Sequence, residues 1–295
     1  MSWLELIDNQ LDLPEGDQPF AAIVGANPSK GARSPLLWNA AFAATGRASV
    51  MHPIDATPEA LEAILEGLAA DNRFIGGALT MPHKETAAAW LGPDRLSPEA
   101  ARIGAVNCLY RGENGELRGT NTDGEGALVS LETAWGPVAG REAVLLGPGG
   151  AGKAVAAYLA GAGASVTLAA RDPAKAKDFA DRIGADVVAM PVGTDALGAT
   201  DIVVNCTPVG FAQNDPLASP VSDAEFDALN EGAVVFDIIY DPSPTVLLAH
   251  AADRGLSVLD GGPMNLEQAI LAFCYANAGT DKDTVTSAMQ KAARA

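Results

Sequence analysis

The run Leu145-Leu146-Gly147-Pro148-Gly149-Gly150-Ala151-Gly152-Lys153-Ala154 narrows the choice of fold more than any other stretch of this chain. It reads as the end of a buried strand, a glycine turn and the start of a helix. Gly147, Gly149 and Gly152 match the spacing G-x-G-x-x-G. The first glycine permits the tight turn, the second lets a pyrophosphate approach the backbone, and the third lets the helix pack closely on its strand. Gly150 and Ala151 then open a helix whose free N–H groups and positive dipole end favour phosphate. The same spacing arises by chance where Gly and Ala are abundant, so context decides. Residues 143–146 are apolar, 154–159 have helical composition and 164–168 supply a further strand, which sets the turn inside a βαβ unit.

The chain has 295 residues, enough for two cores of ordinary size. A formal net charge of −18 argues against a nucleic-acid surface, which needs clustered Lys and Arg. Cys108, Cys206 and Cys274 stand far apart with no C-x-x-C, so neither a disulfide framework nor a zinc site is expected, and a reducing cytoplasm fits. The first residues lack the basic flank and apolar stretch of an export signal. The uncharged stretch 154–170 falls short of the roughly 20 apolar residues of a membrane span and contains Gly161 and Gly163. No membrane or metal is expected.

Along the chain, strands are expected at 20–24, 48–54, 74–79, 105–110 and 117–120, the last two turning through Glu113-Asn114-Gly115. Ser34 followed by Pro35 predicts a helix start with Ser as N-cap and Pro at the first helical position, running to about Thr45. Leu61, Ile64, Leu65 and Leu68 mark one face of a helix over 58–70. Pro82 sits where another helix begins, which puts Lys84 in its first turn, an unfavourable place for a cation unless it has work there. A connecting helix over 124–133 leads to strands at 143–146, 165–168, 185–189, 201–205, 234–237 and 256–259, the pattern of a doubly wound α/β sheet. Helices at 266–278 and 281–293 come after that sheet and are expected to return to the first domain.

Several separated stretches, in order, resemble the shikimate/quinate dehydrogenase family. They are Asn27-Pro28 with Ser34-Pro35 and Asn39, Thr80-Met81-Pro82-His83-Lys84, Ile103-Gly104-Ala105-Val106-Asn107, Asn121-Thr122-Asp123-Gly124, the glycine turn, Asn205-Cys206-Thr207-Pro208-Val209-Gly210, Asp237 with Tyr240-Asp241-Pro242 and Thr245, and Met264 with Gln268. The resemblance implies a two-domain α/β protein. An N-terminal substrate domain would occupy 1–122 with 263–295 packing back on it, and a Rossmann-type dinucleotide domain 123–262. It also implies reversible hydride transfer between a nicotinamide and a secondary alcohol of a cyclohexene or cyclohexane carboxylate. The lysine and aspartate of the family's catalytic pair match Lys84 and Asp123. Ser34, Thr80, Asn107, Asn121, Tyr240 and Gln268 match substrate-binding positions, with local backbone turns an alternative use of Asn107 and Asn121. Gly147, Gly149, Gly150, Ala151, Gly152, Thr207, Pro208 and Val209 match the cofactor site. A small carboxylate substrate is implied, in a monomer or homodimer.

The chain departs from the family at three places. Relatives that use shikimate usually carry two serines, one residue apart, on the substrate carboxylate; here the first position is Ala32 and only Ser34 remains. An asparagine two residues before the threonine is replaced by Ala78. Relatives that use NADP carry Asn-Arg-Thr and a later cation; here Arg171 and Lys175 match and suit a 2′-phosphate, while Ala170 and Asp172 do not, and an acidic residue there suits the ribose of NAD. The expected cofactor is NADP, with NAD the alternative. A paralogue acting on quinate or another polyol-like substrate, or a nucleotide-binding module without turnover, are the rival functions.

Overall fold

The computed structural model describes residues 2–13 and 16–294. Contacts divide the chain into two compact units: Met1–Thr122 with Gln268–Ala295, and Asp123–Glu267.

The first unit alternates strand and helix: β1 Phe20–Gly25, α1 Ser34–Ala44, β2 Val50–Asp55, α2 Leu61–Ala70, β3 Phe74–Leu79, α3 Lys84–Leu91, α4 Pro98–Ile103, β4 Cys108–Arg111 and β5 Leu117–Thr120. The sheet order is β2-β1-β3-β4-β5, parallel among the first three and antiparallel from β3 to β5. The α2 stripe Leu61, Ile64, Leu65 and Leu68 is completely buried, and packs with Phe20, Val24, Ile54 and Phe74 on one sheet face. Each such side chain contributes about 1.5–3 kcal/mol. Arg111 closes the other end of α2, donating to the carbonyls of Leu68 at 3.0 Å and Ala69 at 2.9 Å, and to Asp71 O at 2.9 Å and Phe74 O at 3.0 Å. It thereby satisfies carbonyls that the helix leaves open.

The second unit runs α5 Asp123–Ala134, β6 Glu142–Leu146, α6 Gly150–Gly161, β7 Ser165–Ala170, α7 Pro173–Ile183, β8 Asp186–Ala189, α8 Thr194–Gly198, β9 Ile202–Asn205, α9 Asp223–Asp227, β10 Val234–Asp237, α10 Val246–Asp253 and β11 Ser257–Leu259. All six strands are parallel in the order β11-β10-β9-β6-β7-β8. The order reverses between β6 and β9, which brings the segments after those two strands together at a topological switch point. Two helices end the chain: α11 Gly261–Ala276, which crosses from the second unit into the first, and α12 Lys282–Ala293, which packs on α1. Within the first unit Phe273 of α11 meets Trp38 and Phe42 of α1, with ring centroids 5.2 and 4.9 Å apart. The two-domain α/β architecture with a doubly wound sheet, and last helices on the first domain, is as expected from the sequence.

Several helix starts differ from expectation; α2 begins at Leu61 instead of 58, and α3 at Lys84 instead of Pro82. Ser34 is the first helical residue of α1, not its N-cap; Arg33 holds that position with no side-chain cap. The backbone already turns helically at Arg33 (φ −74°, ψ −22°), fed by a short 3-10 turn at Pro28–Lys30, and Leu37 N donates to its carbonyl at 3.2 Å. Pro35 still fits, because the first turn has no use for its missing N–H. Helix α11 starts five residues earlier than expected, at Gly261. Asp260 Oδ1 accepts the Gly262 N–H at 2.9 Å, and a Cβ on Gly261 would stand 1.9 Å from the Ile238 carbonyl oxygen. The glycine pair admits a close backbone approach there instead of delaying the helix. Among the described residues no helix is long and apolar enough to cross a membrane.

Candidate active-site residues of the two units

In the first unit, the candidates gather around the C-terminal ends of the parallel strands. Thr80 follows β3 directly; its N–H donates to Val24 O at 2.9 Å, and its methyl lies where a Cβ on Gly25 would be 2.2 Å away. Lys84 is half-buried and opens α3, and its carbonyl accepts the Val106 N–H at 2.9 Å, tying the helix start to the segment before β4. His83, one residue earlier, is buried with Nε2 at 2.9 Å from Ala56 O. Burial pushes its imidazole down from the ordinary value, against the pull of the Ala56 and Gly25 carbonyls. Ser34 is buried at the start of α1. Ala78 is buried in mid-sheet, level with Ile23 of β1 and Cys108 of β4, and Ala32 is half-buried before α1. Arg33 reaches the far end of α12, donating to Ala293 O at 3.3 Å.

Asn107, Asn121 and Gln268 are bound into the first unit's own structure. Asn107 Oδ1 accepts the Thr122 N–H at 2.7 Å, and its Nδ2 donates to the Thr122 hydroxyl at 3.0 Å and to Gln268 Oε1 at 3.4 Å. Asn121 Nδ2 donates to Ala105 O at 3.1 Å. Three segments far apart in sequence thus meet at Thr122, the residue before Asp123.

In the second unit, Gly147 has φ +86°, a conformation only glycine takes readily, and a Cβ on Gly152 would stand 2.2 Å from Gly147 O. A Cβ on Gly149 would meet nothing within 4 Å. The turn therefore has one glycine for conformation, one for helix packing and one bordering open space, which is what a phosphate group needs in order to approach the backbone. Across the switch point lies Thr207, whose methyl would be 2.7 Å from a Cβ on Gly147. Pro208 and Val209 continue that loop, exposed and half-buried respectively. Gly150 opens α6 with Ala151 behind it. Arg171 and Asp172 follow β7 and are exposed, as is Lys175, whose Nζ is 3.6 Å from Asp172 Oδ2. Asp123 is buried at the start of α5, and a Cβ on its neighbour Gly124 would be 2.4 Å from Ala154 O of α6. Tyr240 is half-buried after β10 in this unit, whereas the other expected substrate contacts all belong to the first. Cys206 packs beneath the turn, and burial, then the Asp237 and Asp123 carboxylates, push its thiol well up.

Sequence reasoning gave no role to Asn205, Asp237, Thr245 or Thr122, although each lies in a quoted motif. Beside local bonds, their side chains make long-range ones that no local pattern signals, Asn205 to Asp237 and Thr122 to Gln268 O.

Comparison with known proteins matches a family model within each unit. Residues 24–109 match the shikimate dehydrogenase substrate binding domain, and residues 131–220 match the shikimate / quinate 5-dehydrogenase model. A shikimate dehydrogenase (NADP(+)) of Rubrobacter xylanophilus is 38% identical over 94% of this chain and 96% of its own length. The structure of a Thermus thermophilus shikimate 5-dehydrogenase in complex with NADP(H) and shikimate is similar at TM-score 0.80 and 34% identity, covering 93% of this chain and 100% of that one. A Corynebacterium glutamicum quinate dehydrogenase in complex with NAD is similar at TM-score 0.79 and 28% identity, covering 93% and 99%.

Proposed function

Because the chain belongs to the shikimate/quinate dehydrogenase family, and is thereby an NAD(P)-dependent oxidoreductase for a shikimate-like substrate, we propose that it interconverts shikimate and 3-dehydroshikimate with a preference for NADP. The observation that carries this proposal is that the motif residues end strands or begin helices where chemistry is done in open α/β sheets: Thr80 and Lys84 after β3, the glycine turn after β6, and Thr207 after β9. The nicotinamide, when bound, gives or accepts hydride. Lys84 returns the proton to the forming hydroxyl and removes it in the reverse direction, and Asp123 is the second proposed catalytic residue. Ser34, Thr80, Asn107, Asn121, Tyr240 and Gln268 are the proposed substrate contacts, and Asn107 and Asn121 serve the frame as well. Gly147, Gly149, Gly150, Ala151 and Gly152 hold the pyrophosphate, Thr207, Pro208 and Val209 face the nicotinamide end, and Arg171 with Lys175 takes the 2′-phosphate. Three cysteines with no disulfide among the described residues suit a cytoplasmic setting.

A second reading is favoured by Ala32 and Ala78, which remove two polar groups from the family's substrate pocket. A site that lacks such partners discriminates against the substrate that needs them. Quinate or another polyol-like alcohol is then the substrate. Initial rates of nicotinamide absorbance change with shikimate and with quinate, each with NADP and NAD, decide between them. Fast turnover of shikimate with NADP supports the first reading; turnover of quinate alone supports the second. Cofactor binding without turnover of either moves the assignment to another alcohol or to a nucleotide-binding module without turnover.

A further inference from the structure

Asp237 ends β10 with none of its surface exposed, and the roles assigned above make no use of it. Its carboxylate receives three donors. Oδ1 accepts from Asn205 Nδ2 at 3.0 Å and from the Ile239 N–H at 3.1 Å, and Oδ2 accepts from the Thr245 hydroxyl at 2.8 Å. Thr245 is the N-cap of α10 and accepts the Leu248 N–H at 3.3 Å, so its own proton is directed at Asp237. Three donors suit a carboxylate; a carboxylic acid would have to turn its proton toward one of them.

Asn205 passes this constraint on. Its Nδ2 also donates to Val209 O at 3.2 Å, while its Oδ1 accepts from the Thr207 N–H at 3.0 Å and the Thr207 hydroxyl at 2.7 Å. The Thr207 hydroxyl accepts the Val209 N–H at 3.2 Å. One buried carboxylate therefore sets the orientation of an amide that shapes the whole loop from Thr207 to Val209, the loop that lies against Gly147.

We propose that Asp237 is a positioning residue of the dinucleotide site, which acts through the Asn205 amide to hold Thr207, Pro208 and Val209 in the shape that receives the nicotinamide end. This rests on the reading of the second unit as an NAD(P) domain. The titratable neighbours are Cys206 directly after β9 and Asp260 after β11; α10 carries His250 and Asp253, and His250 faces Asp223 and Phe226. Burial pushes the Asp237 carboxyl up to about 6, Asp260 adds to the push, and Thr245, Ile239 and Asn205 oppose it. Protonation in mild acid therefore removes an acceptor from the hub and loosens the loop.

The test is fluorescence titration of NADPH and NADH into the full chain between about pH 8 and about pH 5, for wild type, Asp237→Asn and Thr245→Val. NADH is included because the 2′-phosphate of NADPH itself titrates near pH ~6. Wild-type affinity for both nucleotides is expected to fall about tenfold below an inflection near the Asp237 value. Asp237→Asn flattens that profile. Thr245→Val, which takes one donor from the carboxylate, moves the inflection to higher pH, and it keeps the test decisive should Asp237→Asn fail to fold. A flat wild-type profile, or an inflection that neither substitution moves, overturns the proposal while leaving the dinucleotide reading intact. Failure of wild type to bind either nucleotide at any pH overturns both.

Discussion

Asn107 holds Thr122 through both atoms of its amide, accepting the Thr122 N–H at 2.7 Å and donating to the Thr122 hydroxyl at 3.0 Å. The hydroxyl in turn donates to the Gln268 carbonyl at 3.0 Å. Thr122 is completely buried, so no water can replace these partners cheaply. Asn107→Ala leaves the Thr122 N–H without its acceptor and is expected to cost about 1–3 kcal/mol in urea unfolding. Because Asp123 follows directly, kcat should fall by more than KM rises. Unchanged stability with a raised KM alone would make Asn107 a substrate contact only.

The glycine turn separates two demands that motif reading treats alike. Gly149→Ala places its methyl where no protein atom lies within 4 Å, at an ordinary φ of −78°, so the fold should tolerate it. NADPH affinity should nevertheless drop at least about tenfold, since the backbone no longer admits a pyrophosphate. Gly152→Ala pushes a methyl to 2.2 Å from Gly147 O and should lower the melting temperature itself. Equal melting temperatures for the two variants would contradict this assignment of roles.

Lys84→Ala is expected to reduce kcat by about 100- to 10,000-fold, the range for loss of a positioned acid–base group. NADPH affinity, measured by fluorescence, should stay within about twofold of wild type. Turnover close to wild type would remove Lys84 from the chemistry.

Cofactor choice turns on exposed charges. Asp172 stands 3.6 Å from Lys175 and competes with a phosphate for it. Arg171→Ala should weaken NADPH by about ten- to a hundredfold, as expected for a charge-assisted phosphate contact, and leave NADH almost unchanged. Asp172→Thr frees Lys175 and should shift the ratio further toward NADPH. Parallel losses for both nucleotides in Arg171→Ala would show that Arg171 touches the shared part of the cofactor.

Asp237 also has a signature in stability. Its folded value of about 6 lies above the ordinary 3.8, so between those values the native chain keeps a proton that the unfolded chain has lost. This group's contribution is therefore largest at low pH and declines as pH rises through about 6, by at most about 3 kcal/mol. Asp237→Asn should lack that decline. In urea unfolding, the advantage of wild type over the variant should shrink from about pH 4.5 to about pH 7; a constant difference would count against a shifted carboxyl.

The helical stripe Leu61, Ile64, Leu65 and Leu68, the glycine turn and the six strands of the second unit were legible because each is a local pattern, periodic or short. Helix starts were less legible. Ser34 has the composition of an N-cap, yet the preceding 3-10 turn delivers the chain already helical at Arg33, and α11 begins at Gly261, where the lack of a Cβ leaves room for the Ile238 carbonyl and Asp260 accepts the Gly262 N–H. Family motifs pointed to Asn107 and Asn121 as ligand contacts, but hydrogen-bond geometry shows both amides also holding backbone in the first unit.

The amino-acid sequence by itself determined the alternation of strands and helices, the family, and the residue types available for proton transfer and phosphate binding, since these follow from spacing and side-chain chemistry. Tertiary structure alone decided the rest. Strand order, which no local pattern encodes, set Thr207 against Gly147; the join of residues 107, 122 and 268 fixed the approach to Asp123; and burial together with three donors made Asp237 a hub. Asn205 and Asp237 lie 32 residues apart and Asn107 and Gln268 161, and only the packed chain brings such donors and acceptors within bonding distance and away from water.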